Sequence, residues 1–283
     1  MSPAQSRRSA SGRQRQQTKH VSGRWGGWLL LPALPLLLFL LLPLLALLLR
    51  VDVAMLPANL VNSQVRQAIS LSMTTTAVST LLTLLFGTPL AYWLARHRFR
   101  GRAAIDTLLD LPMVLPPSVA GIALLLAFGR RGLIGAYLAE VGLSLAFTPI
   151  AVVLAQLFVA APFYVKSAIT GFSQVERELE QAAALDGATS WAVFRYITVP
   201  LTWSTLFGGA VMTWARALGE FGATIIFAGN FPGRTQTMPL AIYLGFELDL
   251  TVALTLAVLL LVLSFGVLLL VKGLLRQKIR MMI

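Results

Sequence analysis

The sequence predicts an all-α, polytopic membrane protein with about six transmembrane helices. Three observations predict it. Of 283 residues, 57% are hydrophobic and only 12% charged, whereas a soluble domain carries about 25% charge. The apolar residues gather in long runs, and about 20 in a row suffice to cross ~30 Å of hydrocarbon as a helix. Lys and Arg cluster on alternate sides of those runs, the bias that keeps basic loops in the cytoplasm.

Taken in order, residues 1–27 are rich in Ser, Gln and Arg with little to bury, and are expected to form a basic, disordered cytoplasmic tail. A membrane domain is expected over 28–272 and a second basic cytoplasmic tail over 273–283. Crossings are placed at about 28–49, 68–94, 104–128, 147–166, 199–228 and 249–271. The first, WLLLPALPLLLFLLLPLLALLL, has Trp25 and Trp28 at its interfacial end. The second is crowded with hydroxyls from Ser70 to Thr83. In lipid such groups mostly bond to their own helix or a neighbour, so packing is their expected role and pathway lining, by Thr75 and Ser79, the alternative. In the third, Pro112, Pro116 and Pro117 should interrupt regular helix, as a hinge or a fixed bend.

Of 23 Lys and Arg residues, 17 fall on the side of the N-terminus, five on the other, and Arg216 lies within a span. Both termini are therefore expected in the cytoplasm. The net charge of +12 sits mostly beside the spans, which argues for a lipid bilayer as partner and against nucleic acid. There is no cysteine and only His20 and His97, so no thiolate or histidine metal site and no cofactor is expected. No paired carboxylates within a span and no nucleophile–base arrangement are read, so an enzyme is not expected.

This topology makes residues 167–198 the longest cytoplasmic loop. Ser173 and Glu176 match a capping box that would open a helix near Gln174. Val175, Leu179, Ala182, Ala183 and Asp186 then share one face, and Gly187 suits the left-handed position that ends a helix. Thr189 or Ser190 can cap a second short helix through Trp191, Val193, Phe194 and Tyr196, with Pro200 opening the fifth span. The expected product is a bent pair of small-faced helices suited to docking in another protein's groove. Its Glu176, Glu178, Glu180 and Asp186, against Arg177, make it a poor fit to an anionic leaflet.

Gln181-Ala182-Ala183, Gly187, Ile197 and Pro200 resemble, in residue type and spacing, the EAA loop of ABC importer permeases. Gln181 and Val199 depart from that pattern, which has Glu and Leu there. Glu180 stands next to Gln181. The resemblance implies a type I importer permease fold whose cytoplasmic coupling helices, carrying Glu180, Gln181, Ala182, Ala183, Asp186, Gly187, Ile197 and Pro200, seat on an ATPase subunit. That ATPase is expected in a separate chain, because Lys19, Lys166 and Lys272 lie in no P-loop. WARALGEFGATIIFAGNFPGRTQTMPLAIY, residues 214–243, and LPMVLPPSVAGIALLLAFGRRGLIG, residues 111–135, resemble molybdate permease subunits. In all the resemblance covers roughly residues 65–272. It implies a homodimer in the bacterial inner membrane, fed by a periplasmic or extracellular oxyanion-binding protein.

Within the fifth span Arg216 and Glu220 lie at i and i+4, where an ionisable group costs roughly 2.5–3.5 kcal/mol to insert and is usually paired. They are either a helix-locking ion pair or part of the translocation pathway or gate. The segment 229–246 is read as an external loop in which Asn230, Arg234 and Thr235 can donate hydrogen bonds to an oxyanion or a docking partner. A sulfate/thiosulfate or tungstate permease is the alternative within the class, and an ion-coupled secondary transporter the alternative outside it.

Overall fold

A computed structural model describes residues 26–281, and side-chain exposure from residue 31 onward with gaps beyond residue 269. Every regular element among the described residues is helical. The expected tail over 1–27 thus lies, up to residue 25, outside the described residues. The chain divides into two units, Met1–Arg50 and Val51–Ile283. The first contains α1 (Gly26–Arg50), apolar on all sides, with a mean hydropathy of 2.6 over Leu31–Arg50 and Pro32, Pro35 and Pro43 inside it.

The second unit opens with α2 (Leu56–Val61) and α3 (Ser63–Arg96), and Asn62 caps α3 by accepting from the Gln64 N–H. Next come α4 (Arg102–Val114) and α5 (Pro117–Phe128), bent 115° from each other. Pro116 and Pro117 explain the break, since proline disfavours helical geometry in the residue before it and has no N–H to donate. The short α6 (Gly135–Glu140) precedes α7 (Pro149–Gln174), capped by Thr148. Then follow α8 (Arg177–Leu185), α9 (Ser190–Val193), a π-helical turn over Phe194–Thr198 and α10 (Val199–Leu218). The unit closes with α11 (Gly222–Phe227), α12 (Met238–Leu248) and α13 (Leu250–Met281).

Among the described residues four helices are long and apolar enough to cross a membrane, or five if the bent α4–α5 pair counts as one span. The remaining expected crossing, 199–228, is divided at Gly219–Phe221 into α10 and α11. At 20 residues α10 is long enough to span, but Thr, Ser and Arg216 make it less apolar than the other five.

Several boundaries differ from the sequence reading. Helix α7 runs to Gln174, eight residues past the expected end, so Ser173 lies in its last turn and forms no capping box with Glu176. Glu176 is itself the N-cap of α8, without a side-chain bond. Helix continues beyond 272 to Met281, and α12 occupies 238–248 within what was read as loop. Its apolar composition, with Met238 and Leu240 fully buried, is that of a packed element.

The core is the trio α3, α7 and α10. In lipid, close packing and interhelical hydrogen bonds hold such a trio together, the bonds averaging ~0.6 kcal/mol each. Gly209 of α10 lies so close to α7 that a Cβ there would stand 2.7 Å from that of Ser167. Ser167 Oγ donates to the Thr205 carbonyl at 2.9 Å, Thr213 Oγ1 to the Ala160 carbonyl at 3.3 Å, and Gln156 Nε2 to Thr76 Oγ1 at 3.3 Å. The hydroxyls of α3 mostly turn back on their own helix, with Thr75 on Leu71, Ser79 on Thr76 and Thr83 on Ser79. A second layer joins α5 to α11, where a Cβ on Gly121 would meet the Ala223 carbonyl at 2.9 Å.

Candidate functional site

Two places combine charge, burial and a break in regular helix: the α8–α9 hairpin and the α10–α11 junction.

The hairpin turns at Gly187, whose φ of 89° is the left-handed conformation that glycine adopts without steric penalty. Gly187 N donates to the Ala184 carbonyl at 3.1 Å and Ala188 N to the Ala183 carbonyl at 3.0 Å. That pair of bonds is the Schellman closure of a helix C-terminus. Thr189 Oγ1 then accepts from Ala192 N at 3.2 Å and opens α9. The wide π turn lies where Pro200, at the start of α10, cannot donate a backbone hydrogen bond.

The hairpin has two faces. Leu185, Trp191 and Tyr196 are 88%, 69% and 75% exposed, with Gln181, Ala182, Asp186 and Gly187 also at the surface. Ala183, Ile197 and Glu180 are half-buried, and Pro200 is exposed at the foot of α10. Glu180 points inward, its Oε1 2.6 Å from Arg96 Nη2 and 2.7 Å from Thr198 Oγ1. Gln181 rather than Glu180 therefore reaches the outer surface. Arg96 also lies over the Tyr92 ring, and Tyr92 meets Phe172 and Phe194 edge-on. A cavity of about 340 Å³ opens between Tyr92, Arg96, Arg177, Gln181 and Ser190.

At the junction, Arg216 Nη1 stands 3.0 Å from Glu220 Oε2, with side chains 32% and 1% exposed. The other oxygen, Oε1, accepts from Ala223 N at 2.9 Å in the first turn of α11. One carboxylate thus spans the break, compensating the cation in the last turn of α10 and satisfying an orphan donor of α11. Thr75 and Ser79 lie on buried positions of α3, apart from this pair in the hydrogen-bond network.

In the loop, Arg234 is exposed and Asn230 half-buried, its Nδ2 donating to the Leu240 carbonyl at 3.2 Å. Thr235 is fully buried and accepts from Phe231 N at 3.1 Å, so its hydroxyl serves the loop itself. Asp249, between α12 and α13, caps α13. The Thr251 hydroxyl, then the Val252 N–H, hold its carboxyl below the usual range.

Sequence reasoning missed three features. Asp106 and Asp110 are carboxylates four residues apart on α4, and both face Lys166 of α7. Lys166 Nζ is 2.9 Å from Asp110 Oδ1 and 4.0 Å from Asp106 Oδ1. Their helical spacing was visible in the sequence and corrects the reading that no span holds paired carboxylates. Arg96 and Thr198 as partners of Glu180 left no such signal, because Arg96 lies 84 residues away. The bond from Met238 N to Ser72 Oγ, 2.7 Å, ties α12 to α3 in the same unannounced way.

Comparison with known proteins agrees with this architecture. The molybdenum transport system permease protein ModB of Mycobacterium bovis is 44% identical over 237 residues, covering 84% of this chain and 90% of that one. A probable molybdenum ABC transporter permease of Haloferax volcanii is 40% identical over 270 residues, 95% of this chain and 97% of its own. Among solved structures, a bacterial ABC transporter involved in import of the acidic polysaccharide alginate superposes with a TM-score of 0.69 at 18% identity, over 88% of this chain and 94% of that one. An inward-facing methionine ABC transporter superposes with a TM-score of 0.56 at 17% identity, over 75% and 95%. These two show the fold, that of ABC importer permeases. The profile of binding-protein-dependent transport system inner membrane components matches residues 87–280, which take in both the hairpin and the junction, and the chain belongs to that family.

Proposed function

We propose that this chain is the permease subunit of an importer that moves molybdate across the cytoplasmic membrane by alternating access. It is a multi-pass membrane subunit with no covalent chemistry of its own. The observation that carries the reading is the hairpin: a capped pair of short helices with apolar side chains exposed at its tip, where no other described part of the chain covers them. Such a surface asks for a partner, and the relatives at 40% and 44% identity name the cargo.

In this reading two copies pair about an axis normal to the membrane, and a separate ATPase seats on each hairpin from the cytoplasm. An oxyanion-binding protein docks at the opposite face, near Arg234. Both termini lie in the cytoplasm in this reading, which the Lys and Arg distribution supports. ATP-driven closure of the motor displaces the hairpins, and the spans follow between two states. Arg216, one-third exposed beside a sealed partner, lends positive potential to the oxyanion pathway while Glu220 holds it in place. Molybdate, an anion, gains from that potential.

The test is reconstitution with the ATPase and binding protein and measurement of radiolabelled molybdate uptake. Uptake should require ATP and the binding protein, and should fall when Trp191 and Leu185 are replaced by Asp. Uptake independent of an ATPase would overturn the reading. Arg216→Gln should lower uptake in a complex that still assembles; unchanged uptake would remove the pathway role.

A further inference from the structure

Helix α8 has no buried apolar side chain, so apolar packing does not fix it to the spans. Its two backbone joints are the short extended link at Val175–Glu176 and the turn at Gly187. A polar node at Arg96, the last residue of α3, holds it instead. Arg96 Nη2 donates to Glu180 Oε1 of α8 at 2.6 Å, and Nη1 donates to the Val175 carbonyl at the end of α7 at 3.2 Å. The same Glu180 oxygen accepts from Thr198 Oγ1 at 2.7 Å, where the π turn feeds α10. Arg177 Nη2 of α8 donates back to the Arg96 carbonyl at 3.0 Å.

We propose that Arg96, Glu180 and Thr198 form a transmission clamp, positioning residues that deliver movement of α8 to α3 and α10 at once. The proposal rests on the ATPase-coupled reading above. A push on α8 reaches the membrane through the backbone and through the polar node. The backbone leads to α7 by the extended Val175–Glu176 link and to α10 by the Gly187 turn, α9 and the π turn, so both backbone paths pass through non-helical joints that can flex. Through Glu180 the push reaches α3 and the foot of α10 directly. Arg96 and Glu180 are 10% and 15% exposed, so water and salt screen their attraction little. Removing one partner leaves the other charge buried and uncompensated. The clamp therefore holds while the hairpin is under load, and the helices it joins include two of the three that form the core.

The experiment uses the full chain in complex with its ATPase in lipid vesicles, with the binding protein and molybdate, recording ATP hydrolysis and uptake together. In Arg96→Ala the molybdate moved per ATP should fall about tenfold, within the usual range of coupling between sites, while hydrolysis persists. Thr198→Val, which removes a hydroxyl and no charge, should give a smaller fall in the same ratio. Glu180→Arg alone should resemble Arg96→Ala, and the exchanged pair, Arg96→Glu with Glu180→Arg, should recover much of the ratio. Recovery by charge exchange is something a merely space-filling role would not give. A coupled wild type whose ratio survives both Arg96→Ala and Thr198→Val overturns the clamp alone. Wild-type uptake that proceeds without an ATPase overturns the coupled reading and the clamp with it. Should Arg96→Ala not assemble, Thr198→Val is read in the same way.

Discussion

Arg96–Glu180 and Arg216–Glu220 use the same two side chains at similar distances, 2.6 and 3.0 Å, yet their partners lie 84 and four residues apart in the chain. The local pair acts within one helix break: Glu220 pairs with the end of α10 and caps the start of α11, so it splices the two helices across their break. The distant pair acts between α3 and α8, which share no backbone connection nearby, so it constrains how one moves against the other. Sequence separation, not chemistry, decides whether an ion pair shapes a segment or links two of them.

The comparison can be broken most forcefully at Glu220. Glu220→Ala should destabilise the detergent-solubilised protein by about 3–5 kcal/mol, because it strands a partly buried arginine, and thermal unfolding would show it. Hydrogen exchange should rise in α10 and α11 and stay unchanged in α8. A uniform rise would mean that the splice is not local. On the hairpin side, Gly187→Ala forces a Cβ into the left-handed region at a cost of about 1–2 kcal/mol. Nothing lies within 4 Å of that Cβ, so the loss should be confined to exchange in α8 and α9. Thr189→Ala removes the α9 cap for about 1 kcal/mol, and should loosen α9 while leaving the α10–α11 junction as it was.

Asp249 sharpens the comparison as a carboxylate held by hydrogen bonds, with no cation beside it in the described structure. Its folded pKa is depressed by the Thr251 hydroxyl first and the Val252 N–H next. The stabilisation is therefore complete above its ordinary value of 3.8 and is lost as pH falls through the lower folded value. Amide exchange at the start of α13 should accelerate across that window, and Asp249→Asn should abolish the pH dependence. This is the smallest of the effects, since the group is exposed.

The helical class and the position of the hairpin were legible because apolar run length and the Gly187–Thr189 signals are local. So was the Arg216–Glu220 pair, at helical spacing. The bend at Pro116–Pro117 was legible as an interruption, though not its 115°. The end of α7 was misplaced because Lys166 looked like a loop residue. It stays in the helix because Asp106 and Asp110 match its charge from α4. Helix α12 was hidden by the turn residues just before it, and its packing against α13 and the Ser72 bond belong to tertiary structure. The inward turn of Glu180 was equally hidden, since nothing within its own segment calls for it.

The π turn at Phe194–Thr198 sets an azimuth. It winds one residue more than an α-helix would use, and each α-helical residue advances by about 100°. The wide turn absorbs its extra residue, so deleting one residue there would leave Leu185 and Trp191 near their bearing, whereas rewinding all five residues as ordinary α-helix would swing them by about a quarter turn about the axis of α10. The compass bearing of the docking tip is thus written into the winding of five residues, of which Tyr196 alone is strongly exposed among the large apolar side chains.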